Sequence, residues 1–249
     1  MLGRIENAAS IILLKLSVPK CACCRKRLLY EEKALCKDCA QKYREAKTRG
    51  CSACSKLLSE CSCQNYYLKT HFVKGLSKLV RYNSGCQSDV TSRLIFKMKN
   101  KRREDVLSFV ADDMADSISK VFPDLPCDTI VTYVPNRKAA IKERGFDHAG
   151  VLCEFVAKRL NFEFKPLLRS TATKAQKSLT QLQRQANAQF ELFGEPNIKG
   201  RTVLIIDDVV TSGASMGNSA SMIRALRPKG IYGAAVAIAY KDEKIFSLN

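Results

Sequence analysis

Residues 203–215 read VLIIDDVVTSGAS: four apolar residues, two acids, two valines, then hydroxyls around a glycine. The opening run, Val203, Leu204, Ile205 and Ile206, has the length and β-branching of a strand buried on both faces. A helical apolar spacing begins at Met216 and continues through Ala220, Ile223 and Leu226. The intervening loop is therefore expected at the carboxyl end of a central strand. Thr211, Ser212 and Ser215 bring hydroxyls to it, Gly213 permits a tight turn beside the small Ala214, and the following helix presents unpaired amides to an anion. Asp207 and Asp208 either cap this turn or bind hydroxyls beside the anion, and their company with hydroxyls and glycine favours binding. No lysine stands in the loop, and its spacing is not that of a triphosphate P-loop. A sugar 5-phosphate suits this set of groups, with donors beneath the phosphate and carboxylates beside the ribose hydroxyls.

Around this segment, strand and helix patterns alternate. Residues 76–82, 129–134, 162–168 and 231–240 read as strands, and residues 89–98 and 151–160 as helices. Val106, Val110, Met114, Ile118 and Val121 mark one further helix ahead of Pro123 and Pro126. Such alternation predicts an α/β fold with a mostly parallel sheet, whose ligands lie outside the carboxyl ends of its strands. Two more segments are expected at that edge. Pro135, Asn136, Arg137 and Lys138 form a turn after the 129–134 strand, where Arg137 and Lys138 suit a pyrophosphate; Asp147 then reads as a helix N-cap and His148 as a turn residue, in preference to acid catalysis by this pair. Residues 169–190, with Lys174, Gln176, Lys177, Arg184 and Asn187, have the polar, basic character of a cover over polyphosphate.

Nine of the 12 cysteines fall between Cys21 and Cys63. Cys21 and Cys24, Cys36 and Cys39, and Cys51 and Cys54 are C-x-x-C pairs, and Cys61 and Cys63 a C-x-C pair. Eight thiolates on tight knuckles suffice for two tetrahedral zinc sites. Pairing in sequence order joins the first four and the last four; spacing equally permits a crossed arrangement, and thiolates alone do not separate zinc from an iron–sulfur cluster. Cys23 either substitutes for Cys24 or faces solvent, while Cys86, Cys127 and Cys153 read as packing residues. The chain divides into a cysteine-rich double-zinc module over residues 1–68, folded largely by its metal, and an α/β domain over residues 69–249.

Residues 1–110 carry 23 Lys plus Arg against 9 Asp plus Glu, a formal +14, whereas residues 111–249 carry 19 against 15, or +4. Eight thiolates on two dications would leave the first part at about +10, so the excess survives metal binding. Its densest cluster, Lys97, Lys99, Lys101, Arg102 and Arg103, is either a solvated basic face or a nucleic-acid contact, and in the second case phosphate contacts are expected over base readout. The apolar run at residues 11–14 is too short to span a bilayer, so no transmembrane segment and a cytoplasmic location are expected. No feature specifies the surface of a homodimer.

The 203–215 segment resembles the phosphoribosyl pyrophosphate signature of type I phosphoribosyltransferases. That resemblance implies that Thr211, Ser212, Gly213, Ala214 and Ser215 wrap the 5-phosphate, and that Asp207 and Asp208 meet the ribose 2- and 3-hydroxyls. Purine-salvage members carry an aspartate where Thr211 stands, so the neutral hydroxyl speaks against purine salvage. The whole chain resembles the competence protein ComF family, including its GntX branch, through the cysteine module, the Arg144-Gly145-Phe146 segment and the Asp207–Gly213 loop. Family members read Arg-Gly-Phe-Asn-Gln where this chain has Asp147 and His148 in the last two places. The series Arg169, Gln176, Leu179, Arg184, Asn187 and Phe190 matches the family spacing. The family implies a part in DNA uptake, with single-stranded DNA and a competence helicase as partners. The expected chemistry is transfer of ribose 5-phosphate from Mg2+-bound phosphoribosyl pyrophosphate, with Asp207, Asp208, Arg137 and Arg184 as the catalytic set and Lys138 assisting at the pyrophosphate. The alternative is a non-catalytic protein that binds a phosphosugar or a nucleic-acid phosphate.

Overall fold

The structure, a computed structural model, describes residues 19–83, 89–100, 102–171 and 190–239. Helix α1 (Lys37–Lys47), a 3-10 turn (Leu58–Glu60) and the short helix α2 (Tyr66–Thr70) precede the sheet. Then follow β1 (Val73–Tyr82), α3 (Val90–Asn100), α4 (Glu104–Val121), β2 (Ile130–Tyr133), α5 (Lys138–Arg144), α6 (His148–Leu160) and β3 (Glu163–Phe164). The chain continues through β4 (Leu168–Ser170), β5 (Phe190–Leu192), β6 (Thr202–Val210), α7 (Ala214–Arg224) and β7 (Gly230–Ala239). Five strands form a parallel sheet in the order β1-β7-β6-β2-β3, and β4 pairs with β5 in a separate antiparallel ribbon.

The expected central strand is β6, flanked by β7 and β2, and its period of two divides the core. Leu204 and Ile206 face one side, with Leu79, Val131 and Val236, under α4 and α6. Val203 and Ile205 face the other, with Ile130, Ala235, Met216, Ala220 and Ile223. The cysteine segments join these same layers: Cys21, Cys36 and Cys39 belong to the first, and Cys51, Leu58, Cys61 and Leu68 to the second.

Three local expectations are corrected. The 162–168 strand is broken, because Pro166 lacks an N–H for a ladder. Parallel pairing stops at Phe164, and the chain turns out to pair Leu168 with Leu192. The 135–138 turn is shorter than expected, since Lys138 already opens α5, which ends where Gly145 adopts φ +76°. Finally, β6 runs past Ile206 to Val210. On one side β2 stops after Tyr133 pairs with Ile206, while on the other β7 continues, pairing Ala235 with Asp207 and Ile238 with Val210. Both acids therefore lie in a strand with one open edge, not in the turn.

Candidate functional site

After Val210 the chain turns through Gly213, whose φ of +78° is left-handed. Gly213 occupies the N-cap position of α7 and has no side chain with which to cap the helix. The N-terminal amides of α7, the positive end of its dipole, thus open at a hollow lined by Asp207, Val209, Val210, Thr211, Ser212, Gly213, Ala214, Ser215 and Met216. The Ala214 amide donates to Ser212 Oγ at 3.4 Å, and the Gly217 amide to the Gly213 carbonyl at 2.8 Å. Every loop residue expected to hold a phosphate is gathered here, with Asp207 at the rim.

The two acids differ sharply. Asp208, with a side chain 14% exposed, receives the Lys99 ammonium on Oδ1 at 2.9 Å and His148 Nε2 on Oδ2 at 2.8 Å. Burial alone would raise its pKa, but Lys99 and His148 outweigh burial and hold the carboxyl well below the usual carboxylate range. Among the described residues Asp207 has no ion pair of its own, and Lys99 lowers its pKa only from a distance. Burial, and then the neighbouring Asp208 charge, push it up to about 8, although its Oδ1 accepts the Asp208 amide at 2.8 Å. One carboxylate is thus fixed as an anion while its neighbour retains a proton near neutrality.

Neither Lys99 nor His148 was read from sequence as a pocket residue. His148 is 1% exposed and fills no turn: it is the first residue of α6, pointed at Asp208. Its Nδ1 faces Arg144 at 3.3 Å. A carboxylate only accepts, so in this pairing Nε2 is the donor to Asp208, and Nδ1 is the ring nitrogen beside the Arg144 guanidinium. Asp147 stands at the N-cap position without capping, and instead accepts from Asn136 Nδ2 at 2.9 Å. Lys99 was hidden inside a charge run. The signal lay in helical spacing, because it follows buried Ile95 by four residues and therefore shares the inward face of α3.

Val134 donates to the Ile206 carbonyl at 3.0 Å, so the following residues leave β2 beside the two acids. Arg137, half-buried, is the N-cap residue of α5, and Lys138 is exposed as its first residue. Lys174, Gln176, Lys177, Arg184 and Asn187 lie outside the described residues, as do Cys86 and the apolar run at 11–14.

The cysteines fall into the two sequential sets, Cys21, Cys24, Cys36, Cys39 and Cys51, Cys54, Cys61, Cys63, with the sulfurs of each set within 4.8 Å of one another. The crossed arrangement is therefore not adopted. The first pair of each set is built alike. The residue after the second cysteine, Arg25 or Ser55, has positive φ, and its amide donates to the carbonyl of Cys21 or Cys51. Sulfurs 3.5 Å apart at Cys24 and Cys36, and 3.4 Å at Cys54 and Cys61, approach the edge of about 3.8 Å of a tetrahedron with bonds of about 2.3 Å. Burial raises the Cys21 and Cys51 thiols, but nearby backbone amides more than offset it and hold both at about 7. Both sets fit a four-thiolate metal centre. Cys23 belongs to neither and does not face solvent; it is buried and donates to the Val90 carbonyl at 3.4 Å. Cys153 is packed as expected, whereas Cys127 is exposed.

The basic cluster is dispersed. Lys99 turns into the pocket, Arg103 pairs with Asp105 and donates to the Lys20 carbonyl, Arg102 pairs with Glu104, and Lys101 lies outside the described residues. Among the described residues, no helix is long and apolar enough to cross a membrane.

Residues 147–247, less than half of the chain, match the family described as "Phosphoribosyl transferase domain". No curated protein sequence matches the chain. Among solved structures, adenine phosphoribosyltransferase from Saccharomyces cerevisiae is similar at 18% identity over 59% of this chain and 77% of that one, with a TM-score of 0.40. A hypoxanthine-guanine phosphoribosyltransferase from Bacillus anthracis is similar at 14% identity over 55% and 70%, with a TM-score of 0.36. Over residues 147–247, with β6, its loop and α7, the chain is phosphoribosyltransferase-like.

Proposed function

We propose that the hollow at the carboxyl end of β6 binds phosphoribosyl pyrophosphate as its Mg2+ complex. The observation that carries this reading is the meeting of the α7 N-terminus, opened by the left-handed Gly213, with two adjacent acids, Asp207 and Asp208, at the end of β6. The 5-phosphate lies against residues 211–215, where amides and hydroxyls donate to it. The ribose hydroxyls meet Asp207 and Asp208; His148 keeps Asp208 Oδ2, so Oδ1, held by Lys99, is the oxygen that a hydroxyl contests. Arg137, Lys138 and Arg184 receive the pyrophosphate, whose charge the magnesium shares.

In the transfer reading, the bond between ribose C1 and the pyrophosphate oxygen breaks, and pyrophosphate leaves with the electron pair. A nucleophile bonds to C1 and gives up its proton. Charge develops positively at C1, so the fixed Asp208 anion favours the transition state. The two cysteine sets hold zinc as structural sites. Single-stranded DNA is a partner in this reading, supported by the surplus charge before residue 110, and a competence helicase is the partner that the family resemblance implies.

A second reading, a phosphosugar- or nucleic-acid-binding protein without turnover, is favoured by two observations. Asp208 is already satisfied by two partners, and Thr211 puts a neutral hydroxyl where an acceptor-activating acid would stand. Magnesium-dependent release of pyrophosphate, assayed with candidate bases and with single-stranded DNA, separates the two. Release that requires an acceptor establishes the transferase. Saturable donor binding without release establishes the binding protein.

A further inference from the structure

We infer that the second cysteine set shapes the phosphate loop through Asn65, a positioning residue, so that metal at Cys51, Cys54, Cys61 and Cys63 and a phosphate ester at residues 211–215 favour one another. The inference rests on the phosphate-site reading above and assigns the distant metal centre a part in it. Cys63 is followed at once by Gln64 and Asn65. Gln64 Nε2 donates to the Val73 carbonyl at 2.6 Å, fixing this stretch to the start of β1. Asn65 is 0% exposed and uses both ends of its amide. Its Oδ1 accepts the Leu68 amide at 3.0 Å, capping α2, and its Nδ2 donates to the Ser212 carbonyl at 2.9 Å.

That second bond sets the loop's polarity. In a trans peptide the carbonyl and the next amide point in opposite directions. Asn65 does not line the hollow, so holding the Ser212 carbonyl turns the Gly213 amide away from Asn65. The loop is also pressed onto this support. A Cβ at Gly213 would lie 3.0 Å from Leu68 Cγ and 3.2 Å from both terminal atoms of the Asn65 amide. The next turn is held in the same way, by Tyr67 Oη donating to Asn218 Oδ1 at 2.8 Å and by the Tyr67 ring, 2.7 Å from where a Cβ at Gly217 would stand.

The cysteine end of the support is anchored too. Lys78 of β1 is 1% exposed, and its ammonium donates to the carbonyls of Cys61 and Cys63 at 3.1 and 2.8 Å and to Cys61 Sγ at 3.3 Å. A metal that draws Cys61 and Cys63 together therefore fixes the residues from which Asn65 reaches the loop. Thermodynamic linkage makes the effect reciprocal.

The test uses full-length, metal-loaded protein and the variant Asn65→Asp, which retains an acceptor for the Leu68 amide but replaces the donor to Ser212 with an oxygen. Metal content should stay at the wild-type value. Hydrogen exchange of the Gly217 amide should accelerate roughly tenfold, and affinity for Mg2+-phosphoribosyl pyrophosphate should fall by a similar factor, the size expected for a lost buried hydrogen bond. Cys63→Ser, which weakens the metal site with Asn65 intact, should accelerate the same amide. If Asn65→Asp does not fold, Asn65→Ser, which also retains a cap but cannot span the distance, is read instead. Wild-type exchange at Gly217 in either the Asn65 or the Cys63 variant would overturn the inference. If wild-type protein binds no phosphoribosyl pyrophosphate, the donor reading fails, and the exchange measurements still decide the coupling.

Discussion

Asp207 and Asp208 share a backbone and a sheet edge, yet their surroundings drive them to opposite charge states. The folded pKa of Asp207 is raised from 3.8 to about 8, so the folded state binds more protons than the unfolded chain over that interval, and this carboxyl makes stability fall as pH rises through it. Asp208 has the opposite sign: its depressed pKa gives stability that is present above 3.8 and lost as pH falls below it. Asp207→Asn should therefore flatten the decline of melting temperature toward pH 8 while leaving the acid limb in place; an unchanged alkaline limb would count against the buried, proton-holding Asp207. A double-mutant cycle of Asp208→Asn and Lys99→Met should return a coupling of at least about 1 kcal/mol by denaturant unfolding. At this scale the sequence was only half legible. Asp207, Asp208 and Gly213 announce themselves by local spacing, whereas Lys99 and His148 reach the pocket from other helices, and only their inward-facing positions could have flagged them.

The strand–loop–helix unit of β6 and α7 was readable because both flanks have clean periods and the loop residues act through backbone geometry. Its length was not, since β6 is extended by pairing with β7, a long-range contact invisible to local pattern. The break in the 162–168 strand was legible in Pro166, which lacks a ladder N–H, whereas the pairing of Leu168 with Leu192 beyond it is a long-range choice that local pattern does not show. Gly213 is constrained twice over, being left-handed and closely backed by Leu68 and Asn65. Gly213→Val should cost about 1–3 kcal/mol of stability by thermal unfolding. It should also abolish measurable binding of ribose 5-phosphate. Gly145→Ala, at a left-handed position with nothing within 4 Å of its Cβ, should cost only the strain, about 1 kcal/mol, and spare binding.

For the whole molecule, cysteine spacing revealed two four-thiol centres and their membership was settled by geometry. What spacing did not reveal is that each centre joins a different face of the same sheet. Protein prepared without chelator should contain two zinc ions per chain by elemental analysis. Cys36→Ser should remove one of them, and Cys153→Ser neither; iron, or less than one zinc per folded chain, would reject the assignment. Net charge was legible but its use was not, because Lys99 and Arg103 are engaged within the fold. Binding to single-stranded DNA should weaken steeply with salt. Neutralising Lys97 and Arg102 should lower that affinity without sequence preference, whereas Lys99→Met should act mainly on the sugar-phosphate pocket.

Calorimetric titration of the metal-replete protein with phosphoribosyl pyrophosphate decides whether the β6 hollow is a donor site. Under the donor-site reading, binding is saturable and magnesium-dependent at one site per chain, weakened by Asp208→Asn and lost in Gly213→Val. A folded protein with both metal centres filled that shows no magnesium-dependent heat of binding would contradict it.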